Sequence, residues 1–300
     1  MSRAKPVVSY AHTQSPFYRL ASKRRLAELL GLDAAGLRRI AKYCQESGYN
    51  EWDNQSESGK TRRIESPKPE LSRVQKRVAT LLSRITPPDF LYCPVKGKSY
   101  VKNALIHETG AELICLDVKS YFASTPSRRV FWFFQRIMEC SKDVAGILAV
   151  LSTYQGHLPT GSPTSPILSF YAHCDMWAAI ASLALEYECR LSVYMDDITI
   201  SGPRVPERLV WEVKQAVFRN GLLYHKAKRF QQGRAREVTG VILGPDGPKL
   251  PHRHYEKLGR LRGEIAICTS AQERELLERM IQGYQAQAKQ VTTRPPRAAA

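Results

Sequence analysis

The chain is 300 residues long, 43% hydrophobic and 24% charged, the balance of a globular protein with enough apolar material for one large domain or two to three small ones. Its net charge of +17 repels itself unless an anionic partner offsets it, and nucleic acid is the commonest such partner. Seven cysteines without a CxxC spacing exclude a zinc ribbon or a dithiol redox motif and fit reduced thiols in the cytosol.

The N-terminus, MSRAKPVVSY, has no apolar signal core, and residues 1–17 carry no pattern. Leu20, Leu26, Leu29 and Leu30 predict a short amphipathic helix. Leu37, Ile40 and Ala41 predict a second, with Asp33 as its N-cap. Residues 48–62 read as linker, followed by a short strand at Arg62–Ile64 that Pro67 and Pro69 stop. Leu71, Val74, Val78, Leu81 and Leu82 predict a helix over 70–86. The run Leu113–Leu116 reads as a buried strand delivering Asp117 at its end. Helices are expected at 127–140 and 143–154, a Gly/Pro-rich loop at 156–166, and one long apolar helix at 166–186. No apolar stretch reaches the ~20 residues that span a bilayer, so a cytoplasmic protein with no membrane partner is expected.

In LSVYMDDITIS, residues 191–201, apolar side chains alternate at odd positions up to Met195 and at even positions from Ile198. The phase slips across Asp196-Asp197, which predicts two strands joined at a turn bearing both acids. A helix follows at 206–220, strands near 227–232 and 236–243 separated by Gly233, and a basic helical region at 252–289. The end of the chain reads as disordered.

Two adjacent aspartates at a turn are ordinary. A third, Asp117, closing an apolar strand is not, because an unpaired carboxylate is costly to bury. If that strand lies beside the acidic hairpin, three carboxylates converge, and such a cluster needs divalent cations to offset its repulsion. Oxygen ligands suit two Mg²⁺ ions, with Mn²⁺ as a substitute, in an in-line displacement at phosphorus. Polymerases and some nucleases work this way.

Tyr194-Met195-Asp196-Asp197 resembles the YxDD box of reverse transcriptases. Leu116-Asp117-Val118-Lys119-Ser120-Tyr121-Phe122 resembles their strand-end Asp with an aromatic five residues on, and Leu158–Pro166 resembles the LPQGxPxSP box, with Thr160 where Gln is usual. Asn103-Ala104-Leu105-Ile106-His107 resembles the NAxxH motif, and Val238-Thr239-Gly240 the VTG motif, of bacterial retron-type enzymes. Gly59–Pro67 and Gly221–Arg229 resemble two further conserved segments, so the likeness covers about residues 20–280.

The resemblance implies an α+β right-hand polymerase: N-terminal helices and fingers at 1–105, a palm with an antiparallel sheet at 106–248 (fingers insertion about 125–160), a short helical thumb at 249–290 and a disordered basic tail at 291–300. It implies RNA-directed DNA synthesis with Asp117, Asp196 and Asp197 as catalytic residues. Metal-binding positions are Asp117, Val118, Asp196 and Asp197. It assigns dNTP contacts to Arg62, Arg63, Phe122 (a steric gate against a 2′-OH), Gly161 and Lys228, of which only one arginine need point inward. RNA contacts fall to Asn103, His107, Arg253, Lys257, Arg260 and Arg262, with His254 and Lys289 adding to a basic thumb.

The implied partners are a structured noncoding RNA serving as template and primer, its DNA product, dNTPs, a separate effector protein in antiphage defence, and a host RNase H, since no second acidic cluster follows the VTG motif. A two-metal nuclease would not need the fingers arginines, the aromatic gate or the LPxGxP loop. A non-catalytic RNA-binding scaffold would not need three intact acids.

Overall fold

The computed structural model describes residues 9–55, 59, 61–107, 111–244 and 247–292. Helix α1 (Lys23–Leu30) starts at Ser22, whose hydroxyl accepts from the Arg25 N–H at 3.2 Å. Helix α2 (Ala34–Glu46) starts at Asp33, which accepts from the Gly36 N–H at 2.6 Å, as the sequence predicts. The stretch read as linker is instead largely one arm of a hairpin. Strand β1 (Tyr49–Gln55) pairs antiparallel with β2 (Thr61–Pro67). Only Tyr49 of β1 is buried, so the strand has no apolar alternation to reveal it. Part of the 48–62 stretch and residues 293–300 lie outside the described residues.

Helix α3 (Pro69–Leu82) follows with Pro at its first position. Strand β3 (Leu91–Cys93) and helix α4 (Tyr100–Leu105) are too short to have shown a period. Strand β4 (Glu112–Val118) matches the predicted apolar run. Helix α5 (Ser127–Trp132) continues through a π-helical turn at Phe133–Ile137, and α6 (Lys142–Ser152) is capped by Ser141.

The single helix expected over 166–186 is two: α7 (Ser165–Ala172) and α8 (Cys174–Glu186), bent by 66° at His173. The Arg129 Nε–H donates to the Ala172 carbonyl at 2.7 Å and so satisfies an acceptor that the break leaves open. Among the described residues no single helix is long and apolar enough to cross a membrane.

Strands β5 (Arg190–Tyr194) and β6 (Asp197–Gly202) flank the predicted acidic turn. Helix α9 (Glu207–Arg219) leads to β7 (Tyr224–Phe230). The strand expected at 236–243 is a hairpin, β8 (Arg236–Val238) and β9 (Val241–Gly244), because Thr239 and Gly240 both take positive φ, 44° and 80°. Strand β10 (Gly247–Lys249) completes that sheet before α10 (His252–Ile267) and α11 (Ala271–Thr292). Val291, expected in a disordered tail, is fully buried in α11.

The central sheet has the order β3-β5-β6-β4-β7 and is antiparallel except for the β3–β5 edge pair, which is parallel. Its two faces follow from alternation along β4. Ile114, Leu116 and Val118 point into the main core, which also holds Val193, Ile198 and Ile200 and the buried faces of α1–α3 and α5–α9. The opposite face carries Leu113, Cys115 and Asp117. There Leu113 joins a smaller cluster with Val101, Ala104, Val238, Val241, Leu243, Leu250 and Val291. That cluster covers only one end of the face, and the acids sit at the other.

Candidate active site

Asp117 on β4 stands directly across from Asp197 on β6. The Val118 N–H donates to the Asp196 carbonyl at 2.9 Å. The ladder bonds thus flank the Asp117/Asp197 pair rather than join it. In such a non-hydrogen-bonded pair the Cα atoms approach to about 4.5 Å and the side chains come closest. Asp196 sits in the turn, where Met195 takes φ 61°. Tyr194 lies across from Asp197 on the other side.

Burial pushes the Asp197 carboxyl up to about 7, reinforced by the charges of Asp196 and Asp117 and opposed by Lys228. Burial also raises Asp196; Asp117 adds to this, and the positive charge of Arg62 works against it. Three carboxylates in mutual repulsion are a site that a divalent cation stabilises. Among the described residues no group of three or more His, Cys, Asp and Glu side chains is placed so as to hold a metal ion by itself. A Mg²⁺ site of this kind does not require one, because the ion keeps several waters and takes one or two carboxylates together with substrate phosphates. The donor set therefore fits. Val118 buries its side chain in the core, which leaves only its backbone to face such an ion.

The β1–β2 hairpin separates the two arginines. Arg62 shares a face with Trp52 and Ile64, and its charge reaches Asp196. Arg63 points to the other face and is ion-paired with Glu51. The dNTP contact expected of Arg63 is thereby corrected: strand alternation turns it away from the acids and gives it to a carboxylate.

Lys228 lies on the exposed polar face of β7, close enough to Asp197 to oppose its protonation. Lys226, which the sequence reading missed, stands directly opposite Asp117. Its signal was the HKAKRF alternation, in which residues 226 and 228 share a face. Phe122 is half-buried and stacks on Tyr121 at 6.3 Å. The Tyr121 hydroxyl donates to the Ser169 carbonyl at 2.6 Å and accepts from Trp177 Nε1 at 3.1 Å, so the ring under Phe122 is fixed.

Gly161 is needed for a different reason from the one expected. A Cβ there would meet the Glu65 carbonyl oxygen at 2.8 Å, so the close approach is to the β2 backbone. The Thr160 hydroxyl likewise faces β2, donating to the Arg63 carbonyl at 2.9 Å.

The RNA contacts assigned to Asn103 and His107 are corrected. Both are 0% exposed. His107 lies between Ser201 Oγ at 2.6 Å and Ser192 Oγ at 2.8 Å, on the polar face of the central sheet. Asn103 Nδ2 donates to Thr239 Oγ1. The basic thumb is also redistributed. Arg253, Lys257 and Arg260 recur at i, i+4 and i+7 on one flank of α10, whereas Arg262 lies on the other flank of its buried stripe of His254, Leu258 and Leu261. Arg253 is paired with Glu237 through its two terminal guanidinium nitrogens, and Arg260 with Glu264 at 3.8 Å. Lys257 sits over the Tyr284 ring at 5.8 Å. His254 is buried, its Nε2 at the Tyr284 carbonyl, and adds nothing to the basic surface.

A strand-end aspartate faces an acidic hairpin, with an arginine-bearing β-hairpin near it and a pair of C-terminal helices beyond, and the class is α+β: a largely antiparallel sheet backed by helices. More particularly, the chain is a homologue of retron reverse transcriptases. It is 29% identical over 191 residues to the retron Se72 reverse transcriptase of Salmonella heidelberg (strain 579083-10), covering 62% of this chain and 49% of that protein. It is 27% identical over 268 residues to the retron Mx162 reverse transcriptase of Myxococcus xanthus, covering 77% and 55%. The chain spans about half the length of the curated relatives it matches. Among solved structures, a foamy viral protease-reverse transcriptase in complex with double-stranded DNA aligns with a TM-score of 0.46 and 15% identity, covering 96% of this chain and 43% of that one. No family model matches.

Proposed function

We propose that this chain is an RNA-directed DNA polymerase, a nucleotidyltransferase that extends a primer on an RNA template with dNTPs. The observation that carries the reading is the Asp117/Asp197 pair, flanked by its ladder bond to Asp196 and facing the charges of Arg62 and Lys228. Asp117, Asp196 and Asp197 would hold two Mg²⁺ ions, with the Val118 backbone beside them. Bound there, the ions would lower the pKa of the primer 3′-hydroxyl and offset charge on the departing pyrophosphate.

The chain's own side chains do the rest. Arg62 and Lys228 approach the acids from two sides and neutralise the triphosphate. Phe122, fixed by its contact with Tyr121, lies under the sugar and rejects a 2′-hydroxyl by its bulk. Arg253, Lys257 and Arg260 on α10 track the duplex backbone. In this reading residues 1–105 are N-terminal helices and fingers, 106–248 the palm with its fingers insertion, and 249–290 the thumb.

The retron-type motifs of the sequence extend the proposal to a retron role in the cytoplasm. There a dedicated noncoding RNA is copied into single-stranded DNA that stays joined to RNA, a host RNase H removes template, and an effector protein acts with the product against phage. Extension of a primed RNA template, abolished by Asp196→Asn, tests the reaction; sequencing the nucleic acid that copurifies tests the retron role. A branched RNA–DNA molecule supports that role, and unbranched or random cDNA removes it.

A further inference from the structure

The hairpin that carries Arg62 is fastened to the loop beyond α6 by more contacts than strand pairing needs. Glu65 is 4% exposed and holds His157 Nε2 at 3.0 Å from each of its carboxylate oxygens. The Glu65 N–H donates to Thr160 Oγ1 at 3.2 Å, and the Thr160 hydroxyl donates to the Arg63 carbonyl at 2.9 Å. The Gly161 N–H donates to the Glu65 carbonyl at 3.0 Å. Farther along, Glu51 accepts from the Tyr154 hydroxyl. The carboxylates of this set lie on the hairpin face that Arg63 shares, opposite to Arg62.

A two-stranded hairpin is marginal by itself. The direction of Arg62 is therefore set by whatever holds the other face of the hairpin. Holding it with a buried carboxylate is a costly solution, since a well-packed apolar pair anchors as firmly. What the imidazole–carboxylate contact and the directional hydrogen bonds through Thr160 add is a single register and orientation.

We propose that Glu65, His157 and Thr160 form a positioning latch that fixes Arg62 relative to Asp196, so that the hairpin and the Leu158–Ser162 loop meet the incoming triphosphate as one body. The role in catalysis rests on the polymerase reading above. Thr160 belongs to this latch and binds the β2 backbone on both sides of Ile64.

The test is steady-state dNTP incorporation by His157→Leu, Thr160→Val and Arg62→Ala, singly and combined. His157→Leu raises the KM for dNTP about tenfold or more while kcat stays within about twofold. In the Arg62→Ala background the same change adds nothing, because the latch acts through Arg62. His157→Gln, which keeps a donor for Glu65, restores most of the wild-type KM. Should His157→Leu fail to fold, Thr160→Val removes only the hydroxyl bridge and shows the same coupling with a rise of about threefold. A KM increase that persists in full on top of Arg62→Ala, or a fall in kcat with KM unchanged, overturns the proposal. Amide exchange measured without substrate separates it from the reaction itself: His157→Leu speeds exchange over Thr61–Pro67 and leaves β4 and β6 as in wild type. If that exchange is unchanged the latch falls, whereas a wild-type protein that extends no primer removes the polymerase reading instead.

Discussion

Asn103 and Thr239, 136 residues apart, are joined by a side-chain hydrogen bond of 3.3 Å inside the protein. The Thr239 hydroxyl passes the connection on to the Tyr100 carbonyl at 3.0 Å. Two motifs that look independent in the chain are thus one contact, which clips the β8–β9 turn to α4. Asn103→Ala should lower stability by about 1–3 kcal/mol by opening this clip. The affinity of the remaining folded protein for RNA should not change, because Asn103 has no surface. Urea unfolding and a binding isotherm on the same preparation check both halves.

His107 makes stability depend on pH. Burial, then the charges of Arg190 and Arg236, depress its imidazole from 6.5 to about 3. His173 is depressed to about 4, again mainly by burial. A depressed folded-state value means that the unfolded chain binds the proton first. The contribution is complete above pH 6.5 and is lost as pH falls toward the folded values, at about 1.4 kcal/mol per unit for each group. The two histidines should therefore lower stability between pH 6.5 and 4, against an opposite contribution from the raised carboxyl of Asp197, and His107→Gln should remove one histidine's share so that stability falls less steeply, or rises, toward pH 4 relative to wild type. Denaturant midpoints at four pH values decide it.

The meeting of Asp117, Asp196 and Asp197 was legible in the sequence because its signals are local. A phase slip in LSVYMDDITIS marks the turn, and an apolar run marks the strand that ends at Asp117. What was not legible depends on distant partners. His107 turns inward because Ser192 and Ser201 lie 85 and 94 residues away, and nothing near it announces them. Strand β1 stayed hidden because both faces beyond Tyr49 are exposed and show no apolar alternation, and its order comes from β2 and from Tyr154. At the break at His173 the open Ala172 carbonyl is satisfied by Arg129, more than 40 residues upstream. Alternation on β2 did carry the information that Arg62 and Arg63 part ways, though not which of them faces the acids.

That separation gives a paired prediction. Arg62→Ala should lower kcat/KM for dNTP about 100-fold, since it removes a charge aimed at the triphosphate. Arg63→Ala breaks an ion pair whose arginine is 57% exposed and should change stability by no more than about 1 kcal/mol, with little effect on catalysis. Equal losses from the two variants would contradict the alternation.

Gly161→Ala places a methyl 2.8 Å from a backbone oxygen and 3.0 Å from the Ser66 Cα, neither of which can swing away as a side chain tip would. The loop or β2 must shift. A cost of about 1–3 kcal/mol in stability is expected, with a loss of dNTP affinity as Arg62 moves with its strand. Thermal unfolding and KM measured together should fall and rise in step.

Metal binding should be coupled to protons at Asp197. Burial and the neighbouring Asp196 and Asp117 raise its carboxyl to about 7 in the metal-free protein. At pH 6 that group is mostly protonated, and at pH 8 mostly charged. A divalent cation needs the charged form, so binding must expel the proton whenever it is present. Mg²⁺ affinity should then rise with pH up to about 7 and level off above it. Isothermal titration in two buffers of different ionisation enthalpy should show close to one proton released per site at pH 6 and almost none at pH 8. Asp197→Asn removes the titrating group and should flatten the dependence while weakening binding at pH 8. If affinity were instead the same at both pH values in the wild-type protein, Asp197 would not be sharing the ion with Asp117, whatever their proximity across the strands.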